Sequence, residues 1–194
     1  VNIEFQSAKP KVHKLYSKIE TMYKTVLSFF IKSEYLETTN VSQIQYRNPT
    51  NFLPLDDIYV GGYCMAALSK NLIPNKNEFL NICLSFYIEC CHQLYKRFPF
   101  NSPHVKMLKN LSFIDPKNIK NIVTISPVAI HFKDKLPMDL NNLDRQWRLM
   151  QNTNLDYNMS MMDFWQCVKS IKNSDDSETF KLINDLVQYI LILP

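Results

Sequence analysis

An all-α fold, an irregular bundle of about seven to nine helices, is what this sequence predicts from its residue periodicity. Three observations carry that expectation. Only two glycines, Gly61 and Gly62, occur in 194 residues. Dinucleotide-binding folds, phosphate loops, hairpin stacks and barrels need glycine wherever the backbone takes positive φ, so all are disfavoured. Apolar residues recur at i, i+3, i+4 and i+7 through most of the chain. Ser-Pro or Asp-Pro pairs at 102–103, 115–116 and 126–127 repeat the arrangement of a capping residue followed by proline in the first turn.

The first helix is predicted over 10–36, with Val12, Leu15, Tyr16, Ile19, Met22, Tyr23, Val26, Leu27 and Phe30 on one side. Ser7 and Pro10 supply its start signal. Residues 38–55 read as a polar surface connector, broken by Asn48-Pro49-Thr50-Asn51 and Pro54. A short helix is predicted from 55 or 56 to 71, with Asp56 and Asp57 favouring its N-terminus. The next, over 75–98, is apolar around nearly its whole circumference, from Phe79 through Phe86 to Tyr95. Such a helix belongs at the centre of a bundle, so Leu84→Asp or Phe86→Asp is expected to unfold the domain.

Shorter helices follow at 102–111, 116–121, 126–133 and 140–152. Two more are predicted at 160–172 and 177–193, separated by Asn173-Ser174-Asp175-Asp176, in which Asp175 and Glu178 have capping-box spacing. The one strand candidate is the β-branched run 121–125. Trp147 and Trp165 fall on the apolar sides of their helices and read as core.

Composition narrows the classes. With 46% hydrophobic and 21% charged residues, the chain has the makings of a packed core rather than of disorder. No apolar run reaches the about 20 residues a membrane-spanning helix needs, so no membrane partner is expected. Five cysteines, an odd number set in apolar helical patterns, suit free thiols in a reducing compartment better than a disulfide framework. The formal charge of +4 permits nucleic-acid binding without arguing for it. Val1-Asn2-Ile3 and Leu191-Ile192-Leu193-Pro194 read as the edges of a segment cut from a longer chain.

Each residue set with the makings of a site has a structural explanation beside it. Cys83, Cys90, Cys91 and His92 resemble a thiolate-imidazole cluster, yet neighbouring helical residues diverge by about 100°, so Cys90 and Cys91 cannot converge on one ion. They read as small buried hydrophobes. A Cys-His nucleophile pair fails for the same reason. Asp56-Asp57, Asp175-Asp176 and Asp156 with Asp163 are the carboxylate pairs a two-metal site would need, but the double aspartates stand at predicted helix starts, where capping accounts for them. Lys96, Arg97, Lys106, Lys109, Lys117 and Lys120 are the candidate nucleic-acid-binding residues, the last four grouped around the Asp115-Pro116 corner. Phosphate contact and ordinary solvated helix faces both explain them.

Several segments in serial order carry a resemblance. They are Phe5-Gln6-Ser7-Ala8-Lys9-Pro10, Asn48-Pro49, Phe52-Leu53-Pro54-Leu55-Asp56-Asp57-Ile58-Tyr59-Val60-Gly61, and Phe86-Tyr87 leading to Lys96-Arg97-Phe98-Pro99-Phe100. Leu111-Ser112-Phe113-Ile114-Asp115-Pro116-Lys117, Leu143-Asp144-Arg145-Gln146-Trp147-Arg148, Phe164-Trp165 and the run from Leu186-Val187 to Leu193-Pro194 complete the series. This order resembles the C-terminal half of hAT-superfamily DNA transposases and their domesticated relatives. The resemblance implies an RNase H-like parent with a carboxylate triad and a helical insertion. It implies that 1–155 is that insertion and 156–194 the start of the C-terminal dimerisation segment, stopping before the catalytic glutamate motif. No catalytic residue, metal ligand or cofactor is implied within this chain; magnesium is implied for an active parent. Double-stranded DNA, a homo-oligomeric assembly and a nuclear location are the implied partners and place. A domesticated protein–protein interaction scaffold is the alternative.

Overall fold

The computed structural model describes residues 12–192. The predicted start at Ser7 and Pro10 lies outside the described residues. Nine α-helices are present among the described residues: α1 (Val12–Ser28), α2 (Ser33–Thr38), α3 (Gly62–Ser69), α4 (Lys76–Arg97), α5 (Pro103–Asn110), α6 (Ser126–His131), α7 (Leu140–Asn152), α8 (Met161–Ser170) and α9 (Lys181–Leu191). Short 3₁₀ segments stand between them, and the described residues form no strand, only the isolated bridges Ile31↔Phe52 and Lys172↔Glu178. The fold is all-α. The run 121–125 is not a strand; its residues lead from a 3₁₀ segment into α6.

The chain divides into two compact units, residues 17–105 and, of the other described residues, 12–16 with 106–192; residues 106–154 and 155–192 thus share one unit. In the 17–105 unit, Ile19, Tyr23 and Leu27 form the buried stripe of α1 at four-residue spacing. The predicted single helix over 10–36 is instead two. At Phe29 and Phe30 the amide bonds shorten their reach to Val26 and Leu27. The backbone then pairs sideways, Lys32 N–H donating to Asn51 O at 3.0 Å and Leu53 N–H to Phe30 O at 2.8 Å. Those partners come from the connector, which local periodicity does not see. The connector itself is a series of 3₁₀ turns capped by Asn40 and Asn48, and it buries Val41 and Ile44.

The helix expected from 55 or 56 splits as well. A 3₁₀ turn spans Leu55–Asp57, and α3 begins only at Gly62 behind Gly61, whose φ of 89° lies in the region glycine tolerates best. Asp56 therefore does not cap a helix; its carboxylate pairs with Lys76 at 2.7 Å. With glycine so scarce, Asn71 and Asn75 (both φ 54°) take the left-handed positions around the α3–α4 connection.

Helix α4 occupies the predicted residues but not the predicted place. Only Leu80 and Cys91 on it are buried, with half-buried Tyr87 and Tyr95 on the same stripe. Ile82 and Phe86 are 63% and 65% exposed. The helix lies at the surface of its unit, one face against Phe30, Tyr23 and Phe100: the Phe30–Tyr87 rings stack at 6.3 Å, and Tyr23 stands between Tyr95 (6.3 Å) and Phe100 (5.2 Å). The apolar circumference misled because it counts residues and not neighbours.

Burial, and then the neighbouring Cys90, push the Cys91 thiol up to about 12. A group whose folded value is raised stabilises fully below its unfolded value of 9.0 and loses that contribution as pH climbs toward about 12. Burial raises the Tyr23 phenol in the same direction. Denaturant midpoints for the 17–105 unit should thus fall between those pH values, and at pH 8 an aromatic disulfide reagent should leave Cys91 unlabelled in native protein, read by peptide mass mapping. Labelling of Cys91 as fast as half-exposed Cys90 would contradict the burial.

The second unit has one apolar core. Leu143, Trp147 and Met150 of α7 meet Phe164, Trp165 and Val168 of α8 and Ile183, Leu186, Val187 and Ile190 of α9. Both tryptophans are core, as their spacing predicts, and each indole N–H finds a carbonyl: Trp147 donates to Ile122 O at 2.7 Å, Trp165 to Ile114 O at 2.8 Å. Asp139 caps α7 through the Asn141 and Asn142 amides, and Ser160 caps α8. Of the three residue-proline pairs, Ser102 and Asp115 accept N–H bonds as caps. Ser126 does not: Thr124 Oγ1 accepts the Ser126 amide, and the Ser126 hydroxyl is buried without a partner. The Asp175–Glu178 capping box is also absent. Asp175 caps a turn at Ser177, Glu178 pairs with Lys172 across the bridge, and α9 starts only at Lys181.

Candidate nucleic-acid interface

Residues 103–121 place the lysines that the sequence marks for phosphate contact. Helix α5 passes into a 3₁₀ turn at Leu111–Ile114, and Asp115 then caps a second 3₁₀ segment, Pro116–Asn121. The segment is anchored by what it buries: Leu111, Phe113, Ile114, Pro116 and Ile119 are all inside. Asn118 Nδ2 ties the corner by donating to Ser112 O at 3.0 Å. Gln151 of α7 donates to both Ile119 O (2.7 Å) and Ile122 O (2.8 Å), locking the segment to the helix beneath it. With the apolar positions committed to the core, Lys106, Lys109, Lys117 and Lys120 are left exposed. Residues three apart eclipse on a 3₁₀ helix, so Lys117 and Lys120 share a face.

Electrostatics leave these lysines available. None of the four makes a salt bridge among the described residues. Asp115 is the one carboxylate in 103–121, and its Oδ1 is already engaged by the Lys117 amide at 3.2 Å. Two of the ammonium groups instead lie over aromatic faces: Lys120 is 4.8 Å from the Tyr157 ring centroid and Lys109 is 5.8 Å from that of Tyr16. Such contacts keep the full charge while restraining the side chain. The Tyr157 ring is itself held, its hydroxyl donating to Met150 O at 2.9 Å. On α1, burial and then Lys14 hold His13 below its ordinary value, with Asp115 opposing.

The six candidates are divided between the two units. Lys96 and Arg97 end α4 in the 17–105 unit, where they sit in the last turn, as cations do at a helix C-terminus. The four lysines from 106 to 120 belong to the other unit.

The remaining sets separate likewise. Cys91 is buried while Cys90 is half-exposed, and His92 Nδ1 lies 3.0 Å from the Tyr46 hydroxyl. Asp156 accepts the Asn158 amide and Asp163 the Ser160 hydroxyl, so each serves a local turn. Among the described residues no group of three or more His, Cys, Asp or Glu side chains could hold a metal ion. No helix among the described residues is long and apolar enough to cross a membrane.

Periodicity did not reveal the exposed apolar residues of the 17–105 unit, including Tyr63 at 98% exposure. The only hint was the apolar excess of α4 itself. No family model, curated protein or solved structure matches the chain.

Proposed function

We propose that this chain is a helical part of a hAT-transposase-like protein that grips the backbone of double-stranded DNA and helps assemble subunits in the nucleus. It does so without an active site of its own. One observation carries the reading: four exposed lysines, none in an ion pair, stand within fifteen residues on the rigid 106–120 segment. A polyanion would supply the countercharge the protein does not. The serial motifs from Phe5 to Pro194 support the transposase lineage, with its RNase H-like parent and its oligomer built through the C-terminal segment.

The test is duplex binding across salt. Each neutralised phosphate contributes about 0.9 to the slope of log affinity against log salt, so four contacts give a slope near −3.6 and roughly a 100-fold loss between 50 and 200 mM salt. Fluorescence anisotropy with a duplex of about three helical turns reads this directly. Joint replacement of Lys106, Lys109, Lys117 and Lys120 by Gln should flatten the slope while circular dichroism stays unchanged. A wild-type slope near zero would sink the DNA reading.

A second reading, a domesticated scaffold for protein partners, is favoured by Tyr63, Ile82 and Phe86, which the 17–105 unit leaves in solvent. Sedimentation across concentration separates self-association from a monomer awaiting another partner.

A further inference from the structure

We propose that α7 is a base-reading helix, its solvent face shaped for the major groove of B-form DNA; this rests on the DNA reading above and goes beyond phosphate contact. Asn141, Arg145, Arg148 and Asn152 fall within an arc of about 60° at 100° per residue. All four are exposed. The opposite side of the helix carries Leu143, Trp147 and Met150, which lock it into the core. The face is thus rigidly mounted, unlike a surface loop.

Its chemistry suits base edges. Arginine donates in a fork to guanine O6 and N7, and asparagine pairs with adenine N6 and N7. Leu149, on the flank of the same face, is 51% exposed and offers the kind of apolar contact a thymine methyl accepts. Neither arginine forms an ion pair, and the side chains of Asn141 and Arg148 have no hydrogen-bond partner among the described residues. Asn142 Oδ1 accepts from Arg145 at 3.0 Å, which aims the guanidinium and leaves most of its N–H groups unused. Asn152 donates to Arg148 O at 2.8 Å, keeping its own carbonyl oxygen open.

The acids near this face are already occupied. Asp144 accepts the Thr124 hydroxyl at 2.6 Å. Arg145 borders a cleft of about 530 Å³ that also holds Glu178, whose carboxylate faces Lys172 at 3.9 Å and Asn184 at 3.4 Å. Thirteen helical residues span about 20 Å, enough to cross a major groove about 12 Å wide. The deep, narrow groove of A-form RNA admits no such helix, which selects duplex DNA as the occupant. The lysine-bearing 116–121 segment is bonded to this same helix through Gln151, so phosphate grip and base reading would share one mounting.

The experiment is selection of a preferred duplex from a random pool by the whole chain, followed by anisotropy with the selected and a scrambled duplex at several salt concentrations. Wild type should favour the selected duplex by at least 10-fold. Arg145→Ala with Arg148→Ala should erase most of that preference while keeping a salt slope of at least half the wild-type value. The quadruple lysine variant should instead weaken both duplexes equally. Circular dichroism excludes unfolding, and Arg145→Lys with Arg148→Lys, which keeps charge but loses the fork, should also lose the preference. Duplex binding without any sequence preference, or a preference that survives the arginine changes, overturns this inference and leaves the lysine reading standing. No duplex binding at all overturns both.

Discussion

Trp147→Ala should cost about 3–5 kcal/mol of stability, the range for emptying a large buried aromatic site. The residue is fully buried in one continuous core that also holds Leu111, Phe113, Ile119, Val128 and the apolar faces of α8 and α9. Its ring meets Phe113 edge-on at 5.8 Å. A cavity there is lined from several elements at once, so no single helix can move to fill it. The indole hydrogen bond is the smaller part of the effect, because Gln151 also donates to Ile122 O and keeps that acceptor satisfied. Trp147→Phe should accordingly cost less, about 1–2 kcal/mol. Urea unfolding followed by Trp165 fluorescence measures both, since Trp165 lies in the same core. A loss below about 1 kcal/mol for Trp147→Ala would show that this core collapses around the gap.

Leu80→Asp and Phe86→Asp should behave in opposite ways although both lie on the apolar helix α4. Leu80 is buried, and a carboxylate there has no partner, so a loss of at least about 3 kcal/mol is expected. Phe86 is 65% exposed, and Phe86→Asp should change stability by no more than about 0.5 kcal/mol while improving solubility. Reading α4 as a central helix predicts unfolding for both. Thermal unfolding of the pair decides between the two placements. Equal, large losses would mean that the face bearing Ile82 and Phe86 is covered.

The contrast shows where sequence reasoning held. Helix α7 was legible to the residue, 140–152, because its signals are all local: an aspartate cap, a core stripe at Leu143, Trp147 and Met150, and a polar reverse side. The ends of α4 were legible for the same reason, with Pro99 just beyond its C-cap. The break after Ser28 was not, because it depends on bonds from Lys32 to Asn51 and from Leu53 to Phe30 that close only when distant segments meet. Asp56 and Asp175 were misread as caps because a capping pattern needs a helix start within reach, and the starts lay elsewhere. Ser126 does stand at its helix start, but as the first helical residue, with Thr124 Oγ1 accepting its amide.

Of the candidate interface, the residue types and their grouping from 106 to 120 were readable, since lysines between apolar anchors have nowhere to go but outward. That Lys96 and Arg97 belong to a different unit was not readable, nor was the emptiness of the salt-bridge positions around the other four. By itself the sequence determined that the described residues form an all-α fold, that the two tryptophans are core, and that the lysines of 106–120 are exposed. These follow from periodicity and local hydrogen bonding, which act over a few residues. Only the tertiary structure decided which apolar faces find a neighbour, which aspartates meet a lysine and which arginines are left without a partner. Burial and pairing are properties of two segments at once, and one segment's pattern cannot state them.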